Sequence, residues 1–508
     1  MTVKTMAIFN SLPNLQVYSG NLQPAKMTSA DAMDMLQVIH SFDVFDTLIA
    51  RRCVEPRQVL HKLEARAGLP GLAAARLAAD QSLGSRGRPY RLRDIWHEVG
   101  QALHLDAATS ERLLQLEIQI EHEEVIPITE NLAQVRDGDV LVSDTYLPAE
   151  IVLSLLRKAG LHQTVALVVS NDGKFQGWIW PKLLAQCAIH EHFGDNPHSD
   201  GKTAAAAGIK AIIYTGAKRS PVEQFLVQHG FEPLANLTRE IWLANPIPDT
   251  RPQERHLWLL SCQLNFPLLF LASLHLERYA RAAGIRELFF VSRDCLLWHH
   301  LYQQLFPECR ATYLYTSRKC LLKPTTHYLE YFRTTWHEDS VIVDLFSTGI
   351  SWSRLFSRLN TKARCFFIGH VDNYAYMQDS LRPDDWLEMH AIFRNSELGA
   401  PVNKNVEMLN YAPHPVVEDV RLLPGNAPLP ILADTLEYDR TLPEAAHQSF
   451  RACVQAMPHY PDLLQARTDD VTDLIKAFVR FICADPQMPT IYAGHQEADA
   501  TYLQRILK

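Results

Sequence analysis

Acidic, hydroxyl and basic side chains follow four successive segments in the first half of the chain. In order, they are Asp43 and Thr47, Ser143 and Asp144, Lys174, and finally Asp195, Asn196, Ser199 and Asp200. A phosphate dianion needs a cation and hydrogen-bond donors, and a carboxylate can approach it only where a metal and a lysine screen the repulsion. Hard oxygen ligands of this kind suit Mg²⁺. The set therefore predicts magnesium-assisted chemistry on a phosphate group.

Some polar residues of this set have a simpler interpretation. Short side chains such as those of Asp144 and Ser199 often hold loops through bonds to the backbone, and we assign them that role. His192 and His198 flank the fourth segment, and we expect them at the surface or behind the site rather than as ligands.

A second group of polar residues occurs in "SVIVDLFSTGIS", which begins at Ser340. We expect an apolar strand to end at Asp344, followed by a loop with Ser347, Thr348, Gly349 and Ser351 and then a helix. Hydroxyls, a glycine and the backbone N–H groups of a helix start can bind a phosphate, and the carboxylate can bond a ribose diol. An ordinary strand-to-helix turn with a capping residue would show the same pattern.

These residues stand at the ends of short apolar runs that are rich in β-branched residues, for example "VLVSD", "ALVVS", "LFFVS" and "SVIVD". Most runs precede a helical pattern, which is typical of parallel strands covered by helices on both faces. In such sheets ligands bind at the carboxyl ends of the strands. The sequence therefore predicts an α/β fold with a functional edge on each sheet.

Domain boundaries follow from changes in this pattern. Between about residues 51 and 130 amphipathic helices occur without strands, which indicates a helical insertion, and residues 245–253 are proline-rich and polar like a linker. We therefore expect an N-terminal arm (1–35), a first α/β domain with the insertion (36–245), a second α/β domain (254–425) and a helical C-terminal extension (426–508).

Bulk properties restrict the class of protein. The formal net charge of −8 argues against broad nucleic-acid binding, and nine scattered cysteines without a CxxC pair fit a reduced, cytoplasmic chain. The start of the chain shows no signal-peptide pattern. The apolar stretch that begins at Phe266 is too short to span a bilayer, so we expect a buried helix rather than a transmembrane segment.

The first set of residues resembles the haloacid dehalogenase-like (HAD) superfamily of phosphohydrolases. Four short motifs match in order: Asp43 with Thr47 and Leu48, then Ser143, then Lys174, then Asp195 with Asp200. The resemblance covers about residues 36–243 and implies a Rossmann-like domain, with the helical insertion as a cap of the C1 type.

The resemblance also implies a role for each residue. Asp43 would be the nucleophile, and Ser143 and Lys174 would hold the phosphoryl oxygens. Mg²⁺ would be bound by Asp43, Asp195, Asp200 and the main-chain carbonyl of Phe45. Lys182 competes with Lys174 for the lysine role, and we prefer Lys174 because of its loop position.

One position departs from the family pattern. Family phosphatases usually carry a second aspartate two residues after the nucleophile, as a general acid, but this chain has Phe45 there and an aspartate one residue later, at Asp46. Loss of a general acid typically costs about 10²–10⁴ in rate. Either a bend in the chain brings Asp46 to the site, or another group serves, or the activity is weak.

The second set resembles the phosphoribosyl-diphosphate (PRPP) signature of type I phosphoribosyltransferases. Thr348, Gly349 and Ser351 match its phosphate loop and Asp344 its first acid, whereas Leu345 replaces the second acid. By the same resemblance, four residues at the ends of earlier strands would contact PRPP, namely Arg293, Asp294, Arg318 and Lys319, together with Ser347 of the loop. An internal ion pair between Arg293 and Asp294 is the alternative.

Together the two halves resemble bacterial proteins that install ribofuranose in cell-surface polysaccharides such as O-antigens. The implied function is transfer of 5-phosphoribose from PRPP to a glycan acceptor, expected to be lipid-linked, followed by removal of the 5-phosphate. Either Asp344 or Glu407 could be the base of the transfer. The expected location is the cytoplasm, with peripheral association at the inner face of the membrane left open.

Two other classes of function stay open. In one, only the phosphohydrolase is active and the C-terminal half is a binding module, as Leu345 suggests. In the other, both sites are degenerate and the protein is a scaffold, as Phe45 suggests.

Overall fold

The computed structural model describes residues 16–19, 39–372, 383–399, 402–434, 441–465 and 470–491. The chain divides into two units, residues 1–221 with 243–246 and residues 222–242 with 247–508. The helices between residues 222 and 242 thus belong to the second unit, whereas the sequence pattern put the boundary at the proline-rich stretch near residue 245.

The described part of the first unit contains eight strands. They are β1 (Gln16–Ser19), β2 (Ile39–Phe42), β3 (Ile49–Arg51), β4 (Val125–Pro127), β5 (Val140–Asp144), β6 (Ala166–Ser170), β7 (Ile189–Gly194) and β8 (Lys210–Ile213). Six form a sheet in the order β1-β6-β5-β2-β7-β8, and β3 pairs with β4 in a separate antiparallel hairpin. All pairings in the sheet are parallel except that of β1 with β6.

In this strand order, the connections leave β2 toward one side of the sheet first and later continue on its other side. The chain runs from β2 outward to β5 and β6, and then returns to β7 on the other side of β2. The crevice at such a switch point is the usual ligand site of an open parallel sheet. β1 adds an edge strand within residues 1–35, where the sequence pattern predicts only an arm.

Four helices lie between the two strands of the β3–β4 hairpin: α1 (Pro56–Ala67), α2 (Leu72–Ser85), α3 (Leu92–Ala102) and α4 (Ala107–Glu124). Helix α3 buries Leu92, Ile95, Trp96 and Val99, the spacing of one helix face. Helix α4 starts where the Asp106 side chain accepts a 2.7 Å bond from Thr109 N. The predicted helical insertion is thus a group of four helices. The chain enters it from β3 and leaves it through β4, the strand that pairs with β3.

The insertion contains a buried ion pair. Arg76 of α2 and Glu117 of α4 form two bonds of 2.8 and 3.0 Å, and the indole N–H of Trp96 donates to the same carboxylate over 2.7 Å. Arg51 of β3 pairs with Glu121 in the same way. These pairs connect the helices to one another and to the hairpin.

The second unit is built on β9 (Glu287–Val291), β10 (Arg310–Leu314), β11 (Ser340–Ser347), β12 (Ala363–His370), β13 (Leu387–Arg394), β14 (Val417–Leu422) and β15 (Pro428–Leu432). The first five form an all-parallel sheet in the order β10-β9-β11-β12-β13. The chain runs from β9 to β10 on one side and returns to β11 on the other, so the switch point lies between β9 and β11.

The remaining helices complete the layers. In the first unit they are α5 (Thr129–Leu132), α6 (Ala149–Lys158), α7 (Ile179–Leu184) and α8 (Thr203–Ala206). From residue 221 onward they are α9 (Pro221–Gln228), α10 (Glu232–Leu243), α11 (Pro252–Leu260), α12 (Phe266–Ala282), α13 (Leu296–Leu305), α14 (Arg318–Leu322), α15 (Thr326–Thr335), α16 (Ile350–Leu359), α17 (Asn403–Asn410), α18 (Thr441–Ala456), α19 (Thr472–Cys483) and α20 (Met488–Ile491).

The C-terminal region differs from the expected extension. A β-hairpin, β14–β15, occupies residues 417–432, across the point where the sequence pattern turns helical. Helices α18 and α19 share one apolar core with the parallel sheet. Residues 435–440, 466–469 and 492–508 of the expected extension lie outside the described residues.

The apolar stretch at Phe266 lies inside the second unit. Residues 252–282 form one helical stretch whose length and composition would allow a membrane crossing, but 89% of its most apolar window is buried within the protein. The prediction of a buried helix therefore agrees with the structure, but its premise that the stretch is too short is wrong, because the helical stretch starts at residue 252 rather than near Phe266. All nine cysteines are free.

Candidate functional site

Asp43 lies directly after β2, at the switch point of the first sheet. Its backbone N–H donates to Phe193 O of β7 over 2.8 Å, and Thr47 Oγ1 donates to Asp43 Oδ2 over 3.1 Å. A tight turn brings Thr47 back, since the N–H groups of Leu48 and Ile49 both bond Val44 O. The expected pair of Asp43 and Thr47 is thus formed by a tight turn at the end of the strand.

Lys174 connects the third motif to the first and the fourth. Its ammonium group donates to Asp43 and, over 2.7 Å, to Asp200 Oδ1. Lys182 lies elsewhere, with its ammonium 4.2 Å from the centre of the Trp178 ring. The geometry therefore favours Lys174 for the lysine role.

The Lys174 loop is held by the Asp144 carboxylate. Asp144 accepts bonds from the N–H of Lys174 at 3.0 Å, the N–H of Phe175 at 3.0 Å and the hydroxyl of Ser170 at 2.5 Å. Thr203 Oγ1 donates to Lys174 O over 2.9 Å. Asp144 thus has the loop-holding role expected from its side-chain type.

Asp200 lies in a π-helical turn, Pro197–Lys202, that follows β7. Its Oδ2 accepts from Asn196 N at 3.0 Å, and its Oδ1 lies 3.1 Å from His192 Nε2. His192 is fully buried, and its Nδ1 lies 2.8 Å from Ser41 Oγ. The sequence predicts His192 either at the surface or behind the site. The structure places it behind the site, where it orients the Asp200 carboxylate.

Gly194 is a residue of this site that sequence reasoning missed. A Cβ atom at this position would overlap the side chain of Asp200. Only a glycine lets the turn fold back over the strand end. A signal was present, because a glycine directly precedes Asp195 in the fourth motif.

Asp43, Asp195 and Asp200, the residues predicted to hold a metal ion, lie close together. One carboxylate oxygen of each lies within 4.8 Å of the others. Three carboxylates with hard oxygen atoms are a donor set that fits Mg²⁺. Ser143 lies one residue before the end of β5, whose Leu141 pairs with Phe42 next to Asp43. The structure therefore brings all the predicted motifs of the first half to one edge of the sheet.

The electrostatics of the cluster depend on burial and on Lys174. Burial raises the pKa of Asp43 to about 7 and that of Asp195 to about 6. Burial opposes ionisation of Asp200, but the bond from His192 and the charge of Lys174 hold the pKa of Asp200 below its ordinary value. The charges of Asp43 and Asp200 raise the pKa of Lys174, although burial acts against this. A divalent cation would favour the ionised carboxylates further.

The turn after Asp43 contains a bend at Asp46, the first of the three alternatives given above. Asp46 has a φ of 56°, in the left-handed region that aspartate tolerates better than most residues. Its charge acts on Asp195, whose pKa it helps to raise. Phe45 instead packs against the guanidinium of Arg51, 4.3 Å from the ring centre. The bend thus brings Asp46, and not the Phe45 side chain, close to the acidic cluster.

The second sheet has its own acidic group at the switch point. Asp294 follows β9, Asp344 lies on β11, and Glu407 lies on α17, which packs against β11. Burial and the charge of Asp294 raise the pKa of Asp344 to about 8, and the same two causes raise that of Glu407 to about 8. Three carboxylates from separate elements therefore influence one another electrostatically, and Leu345, next to Asp344, is buried.

The expected phosphate loop has a different local structure. Strand β11 continues three residues beyond Asp344, to Ser347, and α16 already begins at Ile350, so Ser351 is helical. The predictions that the strand ends at Asp344 and that Ser351 lies in a loop are wrong. The strand is longer because Leu345 and Phe346 are buried and β12 pairs with β11 as far as Ser347.

The hydroxyls of this loop bond its own backbone. Gly349 N donates to Ser347 Oγ over 3.2 Å, and Ile350 N donates to Thr348 Oγ1 over 3.3 Å. Gly349 has a φ of 76°, and a Cβ there would lie 2.7 Å from Met389 Sδ. Backbone shape and packing therefore require the glycine, independently of any phosphate.

The three basic residues predicted to contact PRPP have different surroundings in the structure. The charge of Arg318 acts on both Asp344 and Glu407. The Arg293 guanidinium lies 4.8 Å from the centre of the Tyr411 ring. Lys319 instead pairs with Glu418 of β14 over 3.4 Å. Arg318 thus acts directly on the acidic group, whereas Lys319 is engaged with the β14–β15 hairpin.

Comparison with known proteins adds no further assignment: no protein-family model matches this sequence, and no curated protein matches it significantly.

Proposed function

We propose that the first unit is a Mg²⁺-dependent phosphohydrolase that uses Asp43 as its nucleophile. The observation that supports this is the convergence of Asp43, Thr47, Lys174, Asp195 and Asp200 at one switch point. A carboxylate beside a buried ammonium and two further carboxylates can approach a phosphate dianion once a cation screens the charges.

The proposed reaction has two steps. An Asp43 oxygen attacks phosphorus, the bond from phosphorus to the leaving oxygen breaks, and Asp43 carries the phosphoryl group. A water molecule then attacks this acyl phosphate and restores the carboxylate. Lys174 and Ser143 hold the phosphoryl oxygens, and Asp46, whose charge acts on Asp195, is the candidate to protonate the leaving oxygen. Mg²⁺, when bound, would neutralise charge on the phosphoryl oxygens. It would be held by Asp43, Asp195, Asp200 and the main-chain carbonyl of Phe45.

The second unit has a second candidate function, transfer of 5-phosphoribose from PRPP to a glycan acceptor. The observation that favours it is the group of Asp294, Asp344 and Glu407 beside Arg318 at the switch point of an all-parallel sheet. Carboxylates can hold the ribose hydroxyls and accept the acceptor proton, and arginine suits a diphosphate. Because Leu345 replaces one acid of the signature, Asp294 or Glu407 takes its place in this proposal.

The two activities form a sequence. In the transfer, an acceptor hydroxyl oxygen bonds C1 of the ribose while the bond from C1 to diphosphate breaks and diphosphate leaves, so the glycan ends in ribofuranose 5-phosphate. Hydrolysis of that ester releases phosphate and gives ribofuranose. An acceptor on a lipid carrier would bring the protein to the inner face of the cytoplasmic membrane. The alternative is a single-activity phosphohydrolase whose second unit only binds ligand.

The test is mass spectrometry of a lipid-linked glycan after incubation with PRPP and Mg²⁺. The wild-type protein is expected to add ribose, and Asp43→Asn to stop at phosphoribose, because the nucleophile is lost while the second unit is unchanged. Asp249→Asn, at a side chain that is 88% exposed, is the matched control. If Asp43→Asn hydrolyses phosphoesters as fast as wild type, the phosphohydrolase proposal is wrong; if no acceptor gains mass from PRPP, the alternative stands.

A further inference from the structure

Phe175 directly follows Lys174 and is unusually exposed. Its side chain is 56% exposed, more than any other large apolar side chain in the described residues. A phenylalanine ring in solvent does not contribute the favourable free energy of burial. An exposed ring next to a candidate site is therefore more consistent with ligand binding than with a role in folding.

The ring is held in place by its backbone. The N–H of Phe175 donates to Asp144 Oδ2 over 3.0 Å, and its carbonyl oxygen lies 3.1 Å from His198 Nε2. The His198 ring also packs on the Phe175 ring, with centroids 4.8 Å apart at an angle of 53°. The backbone of Phe175 is thus held by hydrogen bonds at both its N–H and its carbonyl oxygen, and its ring contacts the ring of His198.

The two rings come from the two loops that form the proposed phosphate site. Phe175 is adjacent to Lys174, which bonds Asp43, and His198 lies two residues before Asp200. The loops follow β6 and β7, which are separated by β5 and β2 in the sheet, but both lie at its carboxyl edge and are joined by the bond from Lys174 to Asp200 and by the contact of the two rings. The rings therefore belong to the same two loops that supply Lys174 and Asp200. A phosphate bound at Asp43 carries its organic group away from the buried carboxylates and toward such exposed groups.

We propose that Phe175, supported by His198, stacks on the sugar ring of the phosphoester substrate. The C–H face of a furanose or pyranose is apolar, and an aromatic ring offers it a flat contact that costs little conformational entropy. This inference rests on the proposed phosphohydrolase function and specifies its substrate class: a phosphate ester of a ring sugar, rather than a short linear phosphate.

The test compares two probes, methyl β-D-ribofuranoside 5-phosphate and acetyl phosphate, which has no ring. Phe175→Ala is expected to lower the ratio of kcat/KM for the riboside to that for acetyl phosphate about tenfold, the effect of losing one good apolar contact. The change should appear in KM for the riboside. Phe175→Trp is expected to restore the ratio, and Phe481→Ala, at an exposed ring of the second unit, should leave it unchanged.

The possible failures are distinguishable. If wild-type protein hydrolyses both probes and Phe175→Ala leaves the ratio unchanged, the stacking role is wrong while the phosphohydrolase stands. If Phe175→Ala instead converts a dimer to a monomer without changing the ratio, the ring contacts a second copy of the chain, and the stacking role is again wrong. If wild-type protein hydrolyses neither probe, calorimetry with the riboside and with inorganic phosphate decides: equal affinity of wild type and Phe175→Ala for the riboside overturns the inference.

Discussion

Single residues around the proposed nucleophile determine the geometry of the first site. Gly194 leaves the space that the Asp200 side chain occupies, and His192 fixes the orientation of that carboxylate. Asp46 supplies a left-handed backbone that turns Thr47 back to Asp43. The reactive residues are therefore placed by neighbours whose contribution is shape and hydrogen bonding.

Gly194→Ala is predicted to displace Asp200 and lower kcat for phosphoester hydrolysis about 100-fold, because small misplacements of reacting groups have effects of this size. The thermal midpoint should fall as well, because displacing Asp200 breaks its buried bonds to Lys174 and His192, so the rates are compared well below that midpoint. Steady-state kinetics with acetyl phosphate measures the effect. Gly84→Ala in α2, where a Cβ would lie 3.6 Å from Tyr90 Oη, is the control and should keep full activity. Full activity in Gly194→Ala would contradict the placement of Asp200.

Asp344 is predicted to make the stability of the second unit depend on pH. Its pKa is raised to about 8, whereas an unfolded aspartate titrates near pH 3.9. Between these values the folded state holds a proton that the unfolded state releases, so stability falls as the pH rises from about 4 to about 8.

Asp344→Asn removes this proton linkage. The variant is expected to unfold about 10 °C above wild type at pH 8, and the difference should disappear near pH 4. Thermal unfolding at a series of pH values measures it, with the exposed Asp249→Asn expected to follow wild type. A difference that stays constant with pH would show that Asp344 is not held protonated by burial.

At the scale of elements, the helical insertion depends on charges inside its own packing. Arg76 and Glu117 are almost fully buried, and Trp96 completes the hydrogen bonds of the carboxylate. A buried pair of this kind contributes little net stability, but removing one partner leaves a charge without compensation. We therefore expect the insertion to be destabilised when one residue of the Arg76–Glu117 pair is replaced. It should be destabilised much less when both are replaced by apolar residues of similar size.

Arg76→Met is predicted to destabilise the first unit by about 3–5 kcal/mol, because Glu117 then stays buried without its partner. The double variant Arg76→Met with Glu117→Leu should recover most of this loss. Urea unfolding measures both. Arg93→Met, which breaks the exposed pair with Glu111, is the control and should cost less than about 1 kcal/mol. Equal losses in the single and double variants would contradict the argument.

At the scale of the whole molecule, each unit has its own apolar core and its own sheet with a switch point. The acidic group at each switch point is built from residues of that unit alone. The two proposed activities should therefore be lost separately.

Mixing two variants tests this independence. Asp43→Asn is expected to produce a phosphoribosylated glycan, and Asp344→Ala to accept that glycan and release its phosphate, so a mixture should give the complete product. Mass spectrometry of the glycan follows both steps. If the mixture gives only phosphoribosylated product, although Asp344→Ala still hydrolyses acetyl phosphate, the intermediate is not released between the units.

The sequence alone predicted the α/β class, the helical insertion and the positions of Asp43, Ser143, Lys174, Asp195 and Asp200 at one sheet edge. These follow from apolar runs that end in polar residues, a pattern that local chemistry determines. It did not predict β7, whose segment "IHEHFG" is polar, because that strand forms only between β2 and β8 and buries a hydrogen-bonded histidine.

Only the tertiary structure decided which distant residues meet. It paired Lys319 with Glu418, and it brought Asp294 and Glu407 beside Asp344, where the local motif lacks its second acid. It also placed His198 against Phe175 and made Gly194 necessary for Asp200. The physical reason is the same in each case: these contacts join segments whose proximity depends on strand order and helix packing, which no local pattern encodes.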